Sequence, residues 1–161
     1  MRNSVLFFGS TILLLITSIL TGNYFFHFSV SQLDTTDFTL IKQPLDYRGI
    51  IFSNSSIYYI VGFTLLPTIV FLVKHYANIK TTVQTIVATI FILIMGSVLW
   101  YYKIHQLNQI IDQATDFYIS AGNTTYVNIN WFKFGKYVSS GFILGGLLIV
   151  AFGKTRMLTQ R

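Results

Sequence analysis

The stretch that decides the fold reads VQTIVATIFILIMGSVLWYY at residues 83–102 and continues without a helix breaker as KIHQLNQIIDQATDFYISA at residues 103–121. The first part is almost wholly apolar and has the length of about 20 residues that a bilayer crossing requires. The second part is polar, but its apolar residues recur at the three- and four-residue spacing of one helix face. They are Ile104, Leu107, Ile111, Ala114, Tyr118 and Ala121. The sequence therefore predicts one long helix that starts in a membrane and ends in water.

The composition of the whole chain agrees with a membrane protein. Of 161 residues, 53% are hydrophobic and only 10% are charged, whereas a soluble domain carries about 25% charge. Cysteine is absent, which excludes disulfides and thiolate metal sites. The net charge of +6 is explained better by membrane orientation and anionic lipid than by nucleic acid, and no direct readout of nucleic acid is predicted.

Four segments are long and apolar enough to cross a bilayer, which predicts an all-α membrane protein with four transmembrane helices in a single domain, residues 1–161. The predicted spans are about 5–21, 57–73, 83–102 and 134–152. Aromatic residues mark their ends, as expected at headgroup level. The first span lacks a cleavage site of the A-x-A type, so we interpret it as an uncleaved anchor rather than a signal peptide.

The charged residues predict the orientation of the spans. Six basic residues lie in the short segments: Arg2, Lys74, Lys80, Lys154, Arg156 and Arg161. All five acids lie in two long loops, 23–56 and 103–133: Asp34, Asp37, Asp46, Asp112 and Asp116. Because basic residues are retained in the cytoplasm, both termini are predicted to be cytoplasmic and both loops exported from a bacterial inner membrane.

The two exported loops are predicted to form a small cap. The first loop is too apolar for a disordered linker, and its segment DFTLIK alternates like a short strand. In the second loop the helix continues to about Ser120, and TTYVNINWF predicts a strand that returns to the fourth span. The apolar stripe of the helix is expected to pack on the first loop. The alternative is that part of it is left open for another protein.

Few residues suggest chemistry. The best polar cluster is His105, Gln109, Asp112 and Asp116, which share one helix face. Such a face can bind a cation weakly or perform acid–base chemistry, but it is also what a solvated face opposite an apolar stripe looks like, and we favour that interpretation. No catalytic residue, metal site or cofactor is predicted, and the chain is expected not to be an enzyme.

The fourth span carries small residues that permit close helix packing. They are Gly135, Ser139, Gly141 and Gly145. One interpretation is packing against the first or third span, and the other is self-association or docking of a partner's span. Pro67 is expected to kink the second span. A small pore lined by serine and threonine side chains of the first span is a further hypothesis.

In its architecture the chain resembles small inner-membrane proteins that protect a bacterium, namely superinfection-exclusion proteins of temperate phages and immunity proteins against pore-forming colicins. The shared features are the length, four spans, the basic turn KHYANIK, the basic tail KTRMLTQR and the lack of cysteine. A fainter likeness is to bacterial families of small integral membrane proteins with an exported aspartate–threonine segment, here LDTTDF. Neither resemblance assigns a role to a particular residue.

The resemblance implies a protein that blocks phage DNA entry or a pore-forming toxin by contact with it. The expected partners are the lipid bilayer and an incoming phage ejection or toxin component, with self-association as a further option. The alternatives are an accessory or assembly subunit of a larger membrane complex and a small channel.

Overall fold

The computed structural model describes residues 2–33, 54–121 and 133–158, with side chains for 7–33, 56–113 and 133–153. These residues form four α-helices: α1 (Arg2–Ser31), α2 (Asn54–Tyr76), α3 (Thr82–Ala121) and α4 (Phe134–Leu158). The predicted all-helical class is therefore confirmed for the described part of the chain, which contains no strand. The two predicted strands, at 37–42 and 124–132, lie outside the described residues.

All four helices are long and apolar enough to cross a membrane, with candidate spans at Phe7–Ser31, Ser56–Tyr76, Thr82–Gln113 and Phe134–Gly153. Large apolar side chains point outward along them; Leu13 is 65% exposed and Leu147 63%. Apolar side chains facing out around a bundle are suited to lipid rather than water. The chain is thus a multi-pass membrane protein by the length and composition of its helices.

The helices pack in an open row in the order α1, α2, α4, α3, with α1 and α3 as its two ends. Phe7 of α1 contacts Phe71 near the end of α2, and Phe25 stacks on Tyr59 near the start of α2, so these two helices are antiparallel. α3 and α4 are also antiparallel. α2 and α4 run in the same direction, as the second and fourth spans of a chain that crosses back and forth must.

Helix α4 is the centre of the bundle because it packs on both α2 and α3. Its core side chains Phe142 and Val138 are 1% and 6% exposed. They belong to an apolar core that also contains Leu66 and Val73 of α2 and Ala88 and Ile92 of α3. Ile92 is completely buried.

A chain of aromatic contacts connects all four helices near the end where α1 and α3 finish. Phe28 and Phe25 of α1 contact Trp100 of α3, with centroid distances of 5.6 and 6.3 Å. Phe25 stacks on Tyr59 of α2 at 4.4 Å. The chain continues through Phe63 to Phe142 of α4 at 4.5 and 5.1 Å. Stacked and edge-to-face aromatic pairs stabilise beyond their buried area, by about 0.5–1.5 kcal/mol each.

The short connection between α2 and α3 is held by hydrogen bonds at both helix ends. Asn78 adopts a left-handed conformation with φ 53°, and the Ile79 amide donates to the Lys74 carbonyl at 3.0 Å, which together form a Schellman C-cap. At the start of α3, the Gln84 amide donates to Thr81 Oγ1 at 3.2 Å and the Thr81 amide donates back to Gln84 Oε1 at 3.4 Å. This capping box makes the connection a rigid turn.

Two helices are longer than the spans predicted for them. α1 ends at Ser31 rather than near Thr21, so residues 23–31, predicted to begin the first loop, are helical. α3 continues to Ala121, as the spacing of apolar residues predicts. α2 runs through Pro67 without interruption. The first and third helices thus both extend beyond the predicted spans at the same end of the bundle.

Candidate functional site

The extensions of α1 and α3 lie side by side and form a projection that we call the stalk, residues 23–33 and 103–113. At 1.5 Å per residue, α2 and α4 are about 35 and 38 Å long, close to the roughly 30 Å of a bilayer core. α1 and α3 are about 45 and 60 Å long by the same rise. The first residues of α1 and α3 are level with the last residues of α2 and α4. The additional length of α1 and α3 is therefore at the stalk end.

The interior of the stalk is a small, closed apolar core. Ile104, Leu107 and Ile111 of α3 are 4%, 6% and 7% exposed. They pack with Phe26 of α1, with Leu33 just after that helix and with Phe134 at the start of α4. The predicted apolar stripe is therefore buried as far as Ile111. The sequence predicts that the first loop covers this stripe. Two residues of that part of the sequence do cover it, but Phe26 lies within α1 and Leu33 follows shortly after its end.

A buried hydroxyl joins the two helices at the base of the stalk. Ser29 is completely buried; its Oγ accepts a hydrogen bond from Trp100 Nε1 at 2.9 Å and donates to the Phe25 carbonyl at 2.8 Å. Phe28 stacks on the same indole ring with an interplanar angle of 18°. Higher in the stalk, Asn108 Nδ2 donates to the Gln32 carbonyl at 3.4 Å. Polar and aromatic contacts thus fix α1 against α3 in one register.

The outer face of the stalk combines polar with apolar side chains, and Phe28 of α1 and Ile110 of α3 are 54% and 52% exposed. His105, Gln109 and Asp112 are exposed, and Gln109 Nε2 lies 3.2 Å from His105 Nε2. Ile110 lies about 100° further round α3 than Gln109, between these polar residues and the buried stripe. A rigid helical surface that combines hydrogen-bonding groups with an exposed isoleucine can make specific contact with another macromolecule.

The candidate cation or proton site on this face is only partly within the described side chains. His105 and Asp112 lie seven residues apart on α3, and the side chains of Asp116 and Tyr118 lie outside the described set. Among the described residues there is no group of three or more histidine, cysteine, aspartate or glutamate side chains that could hold a metal ion.

At the base of the stalk, Lys103 points toward α4 rather than outward. Its Nζ donates to Gln106 Oε1 at 3.0 Å and lies 5.2 Å from the centre of the Tyr137 ring. A cation over an aromatic ring is attracted by the ring's quadrupole, by about 0.5–1 kcal/mol at an exposed site. The contact ties the start of the α3 extension to α4.

The small residues predicted on α4 are divided between two neighbouring helices. Gly141 and Gly145 lie against α3: a Cβ at Gly141 would be 2.5 Å from the Gly96 Cα, and one at Gly145 would be 3.1 Å from the Ile92 Cα. Ser139 instead faces α2, where its Oγ donates to the Tyr58 carbonyl at 2.6 Å and to the Gly135 carbonyl at 2.9 Å. The four positions therefore do not form one groove.

Sequence reasoning missed the residues that complete these two contacts. Gly62 of α2 faces Ser139 so closely that a Cβ there would overlap its side chain, and a Cβ at Gly96 of α3 would overlap the Phe142 ring. Gly146 and Gly153 follow Ser139 at seven-residue spacing and pack on α2 and on Ala77. Spacing of seven is the signal that could have identified this face, because it is the repeat of helices that cross at a shallow angle.

Comparisons with protein-family models, with curated proteins and with solved structures found no match to this chain.

Proposed function

We propose that this chain is a non-enzymatic membrane protein that acts by contact with another protein through the outer face of the stalk. The observation that supports the proposal is the closed core between α1 and α3. Because Ile104, Leu107 and Ile111 are buried within the chain, the opposite face is held rigid, and rigid surfaces bind with a smaller loss of conformational entropy.

The biological role that we propose for this contact is protection of a bacterial host, by exclusion of phage DNA or immunity to a pore-forming toxin. The architecture resembles that of such proteins, and a projection beyond the membrane would meet an ejection or toxin component before it enters. The proposed location is the bacterial inner membrane with both termini in the cytoplasm, because the short segments carry basic residues and the long loops carry all the acids.

The contacts of α4 favour this proposal over an accessory subunit docked through its small-residue face. Gly141 and Gly145 are covered by α3, and Ser139 and Gly146 by α2. A partner helix would have to displace a helix of this chain to use either face. Self-association through the small residues of α4 is disfavoured for the same reason.

The contacts of α1 likewise disfavour a small channel lined by its hydroxyl groups. Each hydroxyl donates its hydrogen bond to a backbone carbonyl of the same helix. These residues are Ser10, Thr11, Thr17, Ser18 and Thr21. Their donors are therefore engaged within α1 rather than directed toward a conducted ion or water.

The test of function is expression of the chain in a sensitive bacterial host, followed by challenge with phages and pore-forming colicins. We expect protection against at least one agent, and we expect Ile110→Asp combined with Gln109→Lys to abolish it while the membrane level of the protein stays unchanged. The matched control is Val87→Ala, an exposed position within the span of α3. Protection that survives changes on the outer face would contradict a role for the stalk.

The orientation is tested separately with reporter fusions. A reporter active only outside the cytoplasm should work when inserted before α2 at Asn54 and fail in the turn at Asn78 and at the C-terminus. Activity at Asn78 would reverse the proposed orientation and place the stalk in the cytoplasm.

A further inference from the structure

Basic residues of three helices and of the turn between α2 and α3 lie at the end of the bundle opposite the stalk, which we call the basic end. They are Arg2, Lys74, Lys80, Lys154 and Arg156. Lys74 and His75 lie in the last turn of α2. Lys74, His75 and Lys80 are all exposed. The rigid turn between α2 and α3 holds Lys80 in place, because the Lys80 amide donates to Gln84 Oε1 at 3.3 Å.

Contacts between the helices show that the other basic positions belong to the same end. A Cβ built at Gly153 would lie 3.0 Å from the Ala77 Cβ, so α4 passes directly beside the turn, and Lys154 and Arg156 follow within one helical turn. On the other side, Phe7 of α1 contacts Phe71 of α2, with ring centroids 6.0 Å apart. Arg2 precedes Phe7 by five residues, or about 7.5 Å of helix.

The basic end has no acidic residue among the described residues 2–10, 70–86 and 150–158. All five acids of the sequence lie in the two predicted loops, 23–56 and 103–133. Among the described residues of the basic end, no side-chain carboxylate neutralises the positive charges, and they lie where the spanning helices finish. That depth corresponds to the headgroup layer of a bilayer.

We propose that the basic end binds the phosphate groups of anionic phospholipids in the adjacent leaflet, with Lys74 and Lys80 as its principal contacts. Charge complementarity identifies the ligand class, and the position of the cations at the ends of spanning helices identifies bilayer lipid rather than a soluble phosphate as its source. A lysine close to an anionic membrane surface gains about 1 kcal/mol. This binding is independent of what the stalk contacts.

The experiment measures lipid retention by native mass spectrometry of the full-length protein, released from micelles that contain phosphatidylglycerol and phosphatidylcholine with the same acyl chains. We expect preferential retention of phosphatidylglycerol. Lys74→Gln with Lys80→Gln should weaken this preference by roughly thirtyfold, since each lysine contributes about 1 kcal/mol and 1.4 kcal/mol is tenfold. The matched control, Lys103→Gln with Lys136→Gln, removes two lysines at the stalk end and should leave the preference unchanged.

Three results would overturn the proposal. One is equal retention of the two lipids by the unaltered protein. Another is an equal loss of preference in both double variants, which would indicate an effect of net charge alone. The third is complete displacement of phosphatidylglycerol by millimolar inorganic phosphate, which would indicate a site for free phosphate. Thermal unfolding of each variant verifies folding, and Lys80→Gln alone, an exposed change in the turn, provides the comparison if the double variant is unstable.

Discussion

At the scale of single residues, glycines determine how closely α4 approaches its neighbours. At Gly141 the space for a side chain is occupied by backbone atoms of α3, the Gly96 Cα and the Met95 carbonyl oxygen, both 2.5 Å from an ideal Cβ. Backbone atoms cannot rotate away as a side chain can. Close approach of helix backbones is a main source of helix association in membranes, where apolar burial contributes little.

Gly141→Ala should therefore destabilise the protein by about 1–3 kcal/mol or more, because α3 and α4 must move apart. The matched control is Gly9→Ala in α1, where an added Cβ has nothing within 4 Å and the alanine favours the helix. Thermal unfolding in detergent measures both variants. Equal stability of the two would show that α3 and α4 are not in close contact.

The hydrogen bond between Ser29 and Trp100 allows a second prediction at this scale. Ser29→Ala removes the acceptor of the Trp100 indole N–H, and Trp100→Phe removes the donor. Each change should lower the free energy of unfolding, and the double variant should show a coupling of about 0.5–1.5 kcal/mol. Thr17→Ala, which removes an exposed hydroxyl bonded within its own helix, is the control. A coupling of zero would contradict the contact between α1 and α3.

At the scale of helices, the sequence predicted the extension of α3 but not that of α1. Ile104, Leu107 and Ile111 repeat at helical spacing over about two turns, which is a strong signal. The corresponding residues at the end of α1 and just after it are Phe26, Val30 and Leu33, but the polar residues Asn23, His27 and Ser29 near them lower the hydropathy and suggest the end of a span. The buried Ser29 accepts a hydrogen bond from Trp100, and a contact 71 residues away is not visible in local sequence.

Two neighbouring isoleucines of α3 test the stalk. Ile111 is 7% exposed and Ile110 is 52% exposed. Ile111→Ala should cost about 2–5 kcal/mol because it leaves a cavity in the stalk core. Ile110→Ala should change the free energy of unfolding by no more than about 0.5 kcal/mol. Chemical denaturation of the purified variants distinguishes them. The reverse order of effects would mean that the outer and inner faces of the stalk are exchanged.

At the scale of the whole molecule, α1 and α3 are the two ends of the row of helices, and their side chains meet at the stalk. The number of spans and the basic end follow from hydropathy and charge, which are properties of the sequence. Hydropathy and charge do not predict which helices are neighbours, because small residues on α4 are compatible with any partner helix. Gly141 and Ser139 lie two residues apart yet face different helices, and only the three-dimensional arrangement separates them.

The central claim is that α1 and α3 pair side by side beyond the ends of α2 and α4, and cysteine cross-linking tests it most directly because the chain has no cysteine of its own. Asn108 Nδ2 lies 3.4 Å from the Gln32 carbonyl oxygen. Because this contact brings the two positions close together, Gln32→Cys with Asn108→Cys should be joined by a short bis-maleimide in native membranes, seen as a shift in gel mobility. Gln32→Cys with Ile110→Cys places the second thiol on the outer face and should not cross-link. No cross-link in the first pair, or equal cross-linking in both, would contradict the paired stalk.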